Sequence, residues 1–371
     1  MQRVHVFKVP MSAPDDVEGV RALISDGHLN PEDIVALIAK TEGNGLVDDF
    51  SRPLAQLAFK HLLAKELDIE PEEVPDRIAM VMSGGCYGLM SPHVTVFARE
   101  MVEGLAPSGG EKRLAIGAGH TEEIFPEEIG RMGQIRKVAA AVRRAMVEAG
   151  ISNRADVHFV QVKGPLLTSE AVARTKAQLI SVVTENTADS MLYSNDSSAL
   201  GVALGTDEIQ ESQLNDAVVR RDYSLYSSVS STSAGIEKTR ADVVLLGNSI
   251  DSIGPLRIGH SVMHDLIDVD GIRRALRDAG LQIDCDLSEQ NRARVVNVFA
   301  KAVLSSSGEC RGRRFTMLND SDLGNTPGPA IVNALIASLI GDTMVYVSGG
   351  EVDSHSGPPG GNPISAIVDI E

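Results

Sequence analysis

Three stretches of this 371-residue chain share one core: Met82-Ser83-Gly84-Gly85, Ser231-Thr232-Ser233-Ala234-Gly235 and Val347-Ser348-Gly349-Gly350. Each is a serine, a small residue and a glycine. Other landmarks recur around them in the same order. Arg21 to Gly27, Arg144 to Gly150 and Arg274 to Gly280 are each six residues apart. From those glycines to Lys40, Lys163 and Lys301 the intervals are 13, 13 and 21, and from lysine to serine they are 43, 70 and 47. A period near 120 residues is too long for a solenoid repeat. It predicts three copies of one small α/β unit around a pseudo-threefold axis, spanning 1–105, 112–250 and 255–371. The third copy carries an insertion at Asp284–Asn291, and the second carries the longest one, between its lysine and serine.

Periodicity fills in the units. The first reads as strand Val4–Val9, a helix near Asp15–Ser25 stopped by Gly27, an apolar run Asp33–Ala39 into Lys40, helix Leu54–Leu67, and strands Arg77–Met82 and Val94–Ala98. The second reads as strand Arg113–Gly119, a helix over 134–149 stopped by Gly150, strand Asp156–Val162, a helix near Ser197–Leu204, a loop carrying Ser233 after a polar strand-like run Tyr223–Ser230, and strand Asp242–Leu246. The third reads as strand Leu256–Val262, a helix stopped by Gly280, strand Arg294–Ala300, helix Ala330–Leu339, strand Asp342–Val347 and final strand Ile364–Ile370. Residues 101–112 and 248–255 read as linkers.

Composition narrows the function classes. A net charge of −17 argues against nucleic acid or an anionic membrane as partner. Aromatics are 4% with no Trp, too few for base-stacking platforms. Cys86, Cys285 and Cys310 form no CxxC pattern, so neither a disulfide framework nor a zinc site is expected. The N-terminal residues read as a strand and not as a signal segment, so a cytoplasmic location is expected.

If the units close around an axis, Lys40, Lys163 and Lys301 converge with Ser83, Ser233 and Ser348. Mutual repulsion and burial both lower a lysine pKa, so at least one amine is neutral near pH 7. A neutral lysine beside a serine hydroxyl is a general base for a nucleophile. The backbone N–H after each serine can receive a carbonyl oxygen or an oxyanion. Such a site suits a small flat ring with carbonyls on several sides, and amide hydrolysis as its reaction. His260 and His264, four apart, read as a pair on one helix face, without a further ligand in an HxxEH-type pattern. The Gly357-Pro358-Pro359-Gly360-Gly361 loop, with Glu351 or Asp353, is a candidate cation wrap.

Lys40-Thr41-Glu42-Gly43-Asn44-Gly45, Val81-Met82-Ser83-Gly84-Gly85, Phe125-Pro126-Glu127-Glu128-Ile129-Gly130, His158-Phe159-Val160-Gln161-Val162-Lys163, Ser198-Ala199-Leu200-Gly201, Ser233-Ala234-Gly235-Ile236-Glu237, Val296-Asn297-Val298-Phe299-Ala300-Lys301 and Val345-Tyr346-Val347-Ser348-Gly349-Gly350 together resemble the ring-opening cyclic amide hydrolases, the family of cyanuric acid hydrolase and barbiturase. The resemblance runs from the first strand to the last. It implies a Toblerone-like α/β fold of three repeats around one central site, a homotetramer, and three Ser–Lys pairs of which the second is catalytic. Carried over, Ser233 is the nucleophile and Lys163 its base. Ser83, Gly84, Ala234, Ser348 and Gly349 hold ring carbonyls, and Lys40 and Lys301 stand beside them. No cofactor is implied for catalysis, and any cation is structural.

The chain also departs from that family. One arginine per repeat is expected at the ring. Arg52 supplies the first, but Asn195 stands at the second position and Gly324–Pro329 holds none at the third. Asparagine and proline do not replace a guanidinium fork. The expected substrate is therefore a cyclic amide other than cyanuric acid, such as an asymmetric imide or pyrimidine-like ring. Val303 stands where the family's cation-binding glutamate follows the third lysine. The competing readings are hydrolysis of cyanuric or barbituric acid itself, a binding protein that kept the scaffold without turnover, and a metal-dependent cyclic amidase.

Overall fold

The computed structural model describes residues 1–103, 110–284, 286–319 and 327–371. Cys285 and the stretch 320–326, part of the third arginine position, lie outside the described residues. Twelve principal strands form three sheets. They are β1 (Gln2–Pro10), β2 (Ile34–Lys40), β3 (Ala79–Ser83), β4 (His93–Met101); β5 (Arg113–Glu123), β6 (Val157–Pro165), β7 (Ser230–Gly235), β8 (Arg240–Ser249); and β9 (Leu256–Met263), β10 (Val295–Leu304), β11 (Tyr346–Val352), β12 (Asn362–Asp369). The strand orders are β3-β2-β4-β1, β7-β6-β8-β5 and β11-β10-β12-β9. These are one topology three times. In each, the lysine strand pairs in parallel with the serine strand and antiparallel with the last strand. Each lysine strand shifts register against the last strand at the same place, between Ile34 and Ala36, Val157 and Phe159, and Val295 and Asn297.

Two helices accompany each sheet: α1 (Glu18–Ser25) and α2 (Ser51–Leu67), α3 (Met132–Glu148) and α4 (Thr187–Gly205), α5 (Val269–Asp278) and α6 (Pro327–Ile340). Helices α1, α3 and α5 stop where expected, because Gly27, Gly150 and Gly280 take φ of +74°, +66° and +114°, which a side chain would strain. No helix of the described residues is long and apolar enough to cross a membrane.

Strand alternation separates two kinds of core. Leu37 and Ala39, Val160 and Val162, and Val298 and Ala300 face outward into three separate clusters, one per sheet with its own helices. The alternate residues Ile38, Phe159 and Phe299 face inward and meet in a fourth cluster with Val81, Phe97 and Tyr346. That cluster is the axis. Phe299 lies 4.7 Å from Phe159, 6.3 Å from Phe97 and 6.0 Å from Tyr346, ring centre to ring centre. Removing it leaves a cavity bordered by all three sheets. Phe299→Ala is expected to cost about 3–5 kcal/mol in urea unfolding. Polar ties also join the units: Asn297 Nδ2 donates to Thr95 Oγ1 at 2.7 Å, and Ser365 Oγ donates to the His158 carbonyl at 2.7 Å.

Several local expectations differ from what is observed. Residues 230–235 are a strand and not a loop, because pairing with β6 overrides their weak strand preference. The preceding run Tyr223–Ser230 is mostly turn. Helix α4 starts ten residues before Ser197, with the Asn186 side chain capping it by accepting from Asp189 N. The expected linker 248–255 includes Ser252–Ile253, which pairs in parallel with Gln2 and Arg3. His260 lies on β9, not on a helix. Its Nδ1 is 2.8 Å from Nδ1 of His158, with Asp278 nearby, whereas His264 pairs with Asp268.

Candidate active site

The same alternation that sends Ile38, Phe159 and Phe299 to the axis sends Lys40 and Lys301, two positions on, and Lys163, four positions on, to that side as well. Parallel pairing then sets the rest. Lys40 is in register with Ser83, Lys163 with Ser233, and Lys301 with Ser348. Three Lys–Ser rungs therefore meet at one end of the axis, although the intervening lengths differ. They surround a cavity of about 260 Å³. An apolar cavity of about 150 Å³ admits benzene, so this one holds a single six-membered ring with small substituents.

Lys40, Ser83, Gly84 and Arg52 line one side of the cavity; Lys163, Ser233 and Ala234 line the second; Ser348, Gly349, Asn195 and Glu351 line the third. Lys301 stands just behind that third wall. Its Nζ donates to Glu351 Oε1 at 2.6 Å and to the Thr232 carbonyl at 2.9 Å. Leu46, Tyr87, Ala188, Met191 and Leu192 complete the lining.

The three rungs are not equivalent. Lys40 Nζ donates to the Gly84 carbonyl at 2.7 Å and to Ser83 Oγ at 3.4 Å. Lys163 Nζ donates to the Ala234 carbonyl at 3.2 Å and lies 3.2 Å from Glu237 Oε1, a carboxylate whose side chain is 3% exposed. It makes no hydrogen bond to Ser233 Oγ, which has no partner among the described residues. All three serines line the cavity; Ser233 is half-buried as a residue, though its Oγ is buried, whereas Ser83 and Ser348 are buried. Gly235 lets Glu237 approach, because a Cβ there would fall 2.1 Å from the carboxylate oxygen.

Burial pushes the amines of Lys40 and Lys163 down to about 8. Desolvation is the main cause for both, and repulsion from Lys301 is a smaller one for Lys40. At Lys163, Glu237 pulls the other way and Arg52 adds to the depression. Burial opposes ionisation of Glu237, but Lys163 and Arg52 outweigh it and hold the carboxyl below its ordinary range.

Two residues that sequence reasoning gave no role complete the floor and wall: Glu237, just described, and Tyr346. The buried Tyr346 hydroxyl faces Ser83, Ser348 and Ser233 without closing a hydrogen bond, and burial pushes the phenol up. Its position two before Ser348 on a strand was the available signal. Asn195 lies where it was expected, but its Nδ2 is spent on Glu351 Oε1 at 2.9 Å. The residues weighed for a cation at the C-terminal loop have these contacts. Glu351 is turned to Lys301, Asp353 Oδ1 accepts from Ser306 N at 3.1 Å, and Val303 offers no ligand.

Comparison with known proteins places this geometry among relatives. The family described as amidohydrolase ring-opening protein matches residues 5–369. The chain is 49% identical to a cyanuric acid amidohydrolase of Enterobacter cloacae over 368 residues, 99% of each chain. It is 46% identical to a cyclic amide hydrolase of Azorhizobium caulinodans over 367 residues, again 99% of each. A solved structure described as cyanuric acid hydrolase, an evolutionary innovation by structural concatenation, superposes with a TM-score of 0.93 at 45% identity, covering all of both chains.

Proposed function

Because this chain belongs to the ring-opening amidohydrolase family, hydrolases of cyclic C–N bonds with a Toblerone-like fold of concatenated repeats, we propose that it opens a small cyclic amide with a Ser233–Lys163 dyad. One observation carries the choice of dyad. Of the three in-register rungs, only the second joins a half-buried, cavity-lining serine, whose Oγ has no partner among the described residues, to a lysine with a buried carboxylate beside it.

In the proposed reaction, neutral Lys163 takes the Ser233 proton as Oγ attacks a ring carbonyl. The oxyanion is held by donors at the serine turns. The lysine ammonium, steadied by Glu237, then gives its proton to the ring nitrogen as the C–N bond breaks. The opened ring stays attached as a serine ester. Water attacks that ester with Lys163 again as base, and the proton returns to Ser233 Oγ. Arg52, Ser83, Gly84, Ala234, Ser348 and Gly349 bind the ring, with Lys40 and Lys301 behind them. The dyad supplies both nucleophile and base, so a chelator is expected to leave the rate unchanged. With Asn195 in place of an arginine, the preferred ring is one other than cyanuric acid. A screen of cyclic ureides and imides, with Ser233→Ala as control, tests the function: Ser233-dependent turnover of a ring supports it, and turnover that survives the substitution contradicts it.

The base requires a neutral lysine, so kcat/KM should rise with pH to a midpoint near 8. Glu237 favours the ammonium form, so Glu237→Gln should move that midpoint to lower pH and reduce the plateau about tenfold. Tyr346→Phe removes the one hydroxyl that faces all three serines. It should lower kcat about tenfold with little change in unfolding midpoint. The proposed assembly is a homotetramer in the cytoplasm. Exposed apolar residues such as Leu179 and Val147 give association something to cover, and light scattering checks the mass.

A further inference from the structure

The third wall of the cavity differs from the other two in the kind of polar atom it offers. A carboxylate can only accept, so the Asn195 amide must turn Nδ2 toward Glu351 Oε1, 2.9 Å away. That orientation leaves Asn195 Oδ1 and Glu351 Oε2 over. Neither has a hydrogen-bond partner among the described residues. Both belong to residues that line the cavity, and these are 5% and 8% exposed. Lys301, the cation behind this wall, is already committed to Glu351 Oε1 and the Thr232 carbonyl.

Buried acceptors left unpaired are uncommon, and two on one wall of a ligand cavity call for donors from the ligand. A ring carbonyl placed there would set oxygen against oxygen, one of them on a carboxylate. A ring N–H or exocyclic amino group would satisfy both. Across the cavity the situation is reversed, since Arg52, Lys40 and the Ser83 hydroxyl are donors. On the α4 face that carries Asn195, Ala188, Met191 and Leu192 add carbon to the lining.

Resting on the ring-opening reading above, we propose that the Asn195–Glu351 wall is a donor-recognising subsite, and that the substrate is a cyclic amide with an amino group in place of one ring carbonyl. Amino-substituted pyrimidinediones and triazinediones are the chemical class. The carbonyl edge lies toward Arg52 and Ser83, a carbonyl faces Ser233, and the amino edge lies on the third wall.

Binding to the Ser233→Ala protein separates this proposal from the fate of the catalytic one, because no turnover is needed. Titration calorimetry would compare matched rings: barbituric acid against 6-aminouracil, and cyanuric acid against its monoamino analogue. The amino ring of each pair should bind at least about tenfold tighter. Glu351→Gln should shrink that preference, and Asn195→Arg should reverse it. Equal or tighter binding of the all-carbonyl rings, or no binding of either kind by the folded protein, overturns the subsite. Ser233-dependent hydrolysis of an all-carbonyl ring in preference to its amino partner would leave the dyad standing and remove only this proposal.

Discussion

Ser233→Ala should reduce kcat by about a thousandfold or more, while Ser83→Ala and Ser348→Ala keep the chemistry and mainly raise KM. The three serines occupy the same register position on the same kind of strand, so sequence symmetry alone predicts equal effects. Their surroundings break the symmetry. Ser83 Oγ lies 3.4 Å from Lys40, whose stronger bond is to Gly84, and both Ser83 and Ser348 are buried. Ser233 alone is half-exposed as a residue, and its buried Oγ has no partner among the described residues, so it is free to be activated. Loss of a nucleophile removes the covalent route. Loss of a neutral donor to a carbonyl costs about 0.5–1.5 kcal/mol, or roughly two- to twelvefold in affinity. Steady-state kinetics on the three variants should therefore separate kcat from KM along this line.

Lys163→Met should cost about 10²–10⁴ in kcat and abolish the rise in rate near pH 8. Methionine keeps much of the side-chain volume, but it strands Glu237, whose buried carboxylate then has no adjacent amine. An unpaired buried charge destabilises and takes up a proton. The double variant Lys163→Met with Glu237→Gln removes that complication and should remain as inactive with its stability largely restored. Lys40 provides the contrast. Its amine is also pushed down to about 8, yet its hydrogen bonds are to Gly84 and Ser83 and not to a carboxylate. Lys40→Met should leave the pH midpoint near 8 while weakening ring binding. If Lys40→Met flattened the profile and Lys163→Met did not, the base would be assigned to the wrong unit.

Much of this site is legible in the chain because it lies on regular elements. Strand alternation and the recurring order of landmarks bring the three lysines to one side, and the three C-terminal glycines mark where helices stop. What could not be read is long-range and polar. Asn195 and Glu351 are 156 residues apart and meet only because the second and third units share a wall. Glu237 follows Ser233 by four residues, but strand spacing says nothing of its return to Lys163 across Gly235. The strand 230–235 is made of serine, threonine, alanine and glycine, so its own preferences indicate a loop, and only its partner β6 makes it a strand. Mutual repulsion among lysines is an intuitive cause for a neutral base, yet burial is the larger one.

The central claim is that Ser233 carries the ring as an ester. Rapid-quench intact-mass analysis of the enzyme turning over a cyclic amide, followed by peptide mapping, tests it directly. Ring opening releases no fragment, so the expected adduct has the full mass of the substrate and maps to Ser233. An adduct on Ser83 or Ser348, or turnover in the Ser233→Ala protein, would contradict the account.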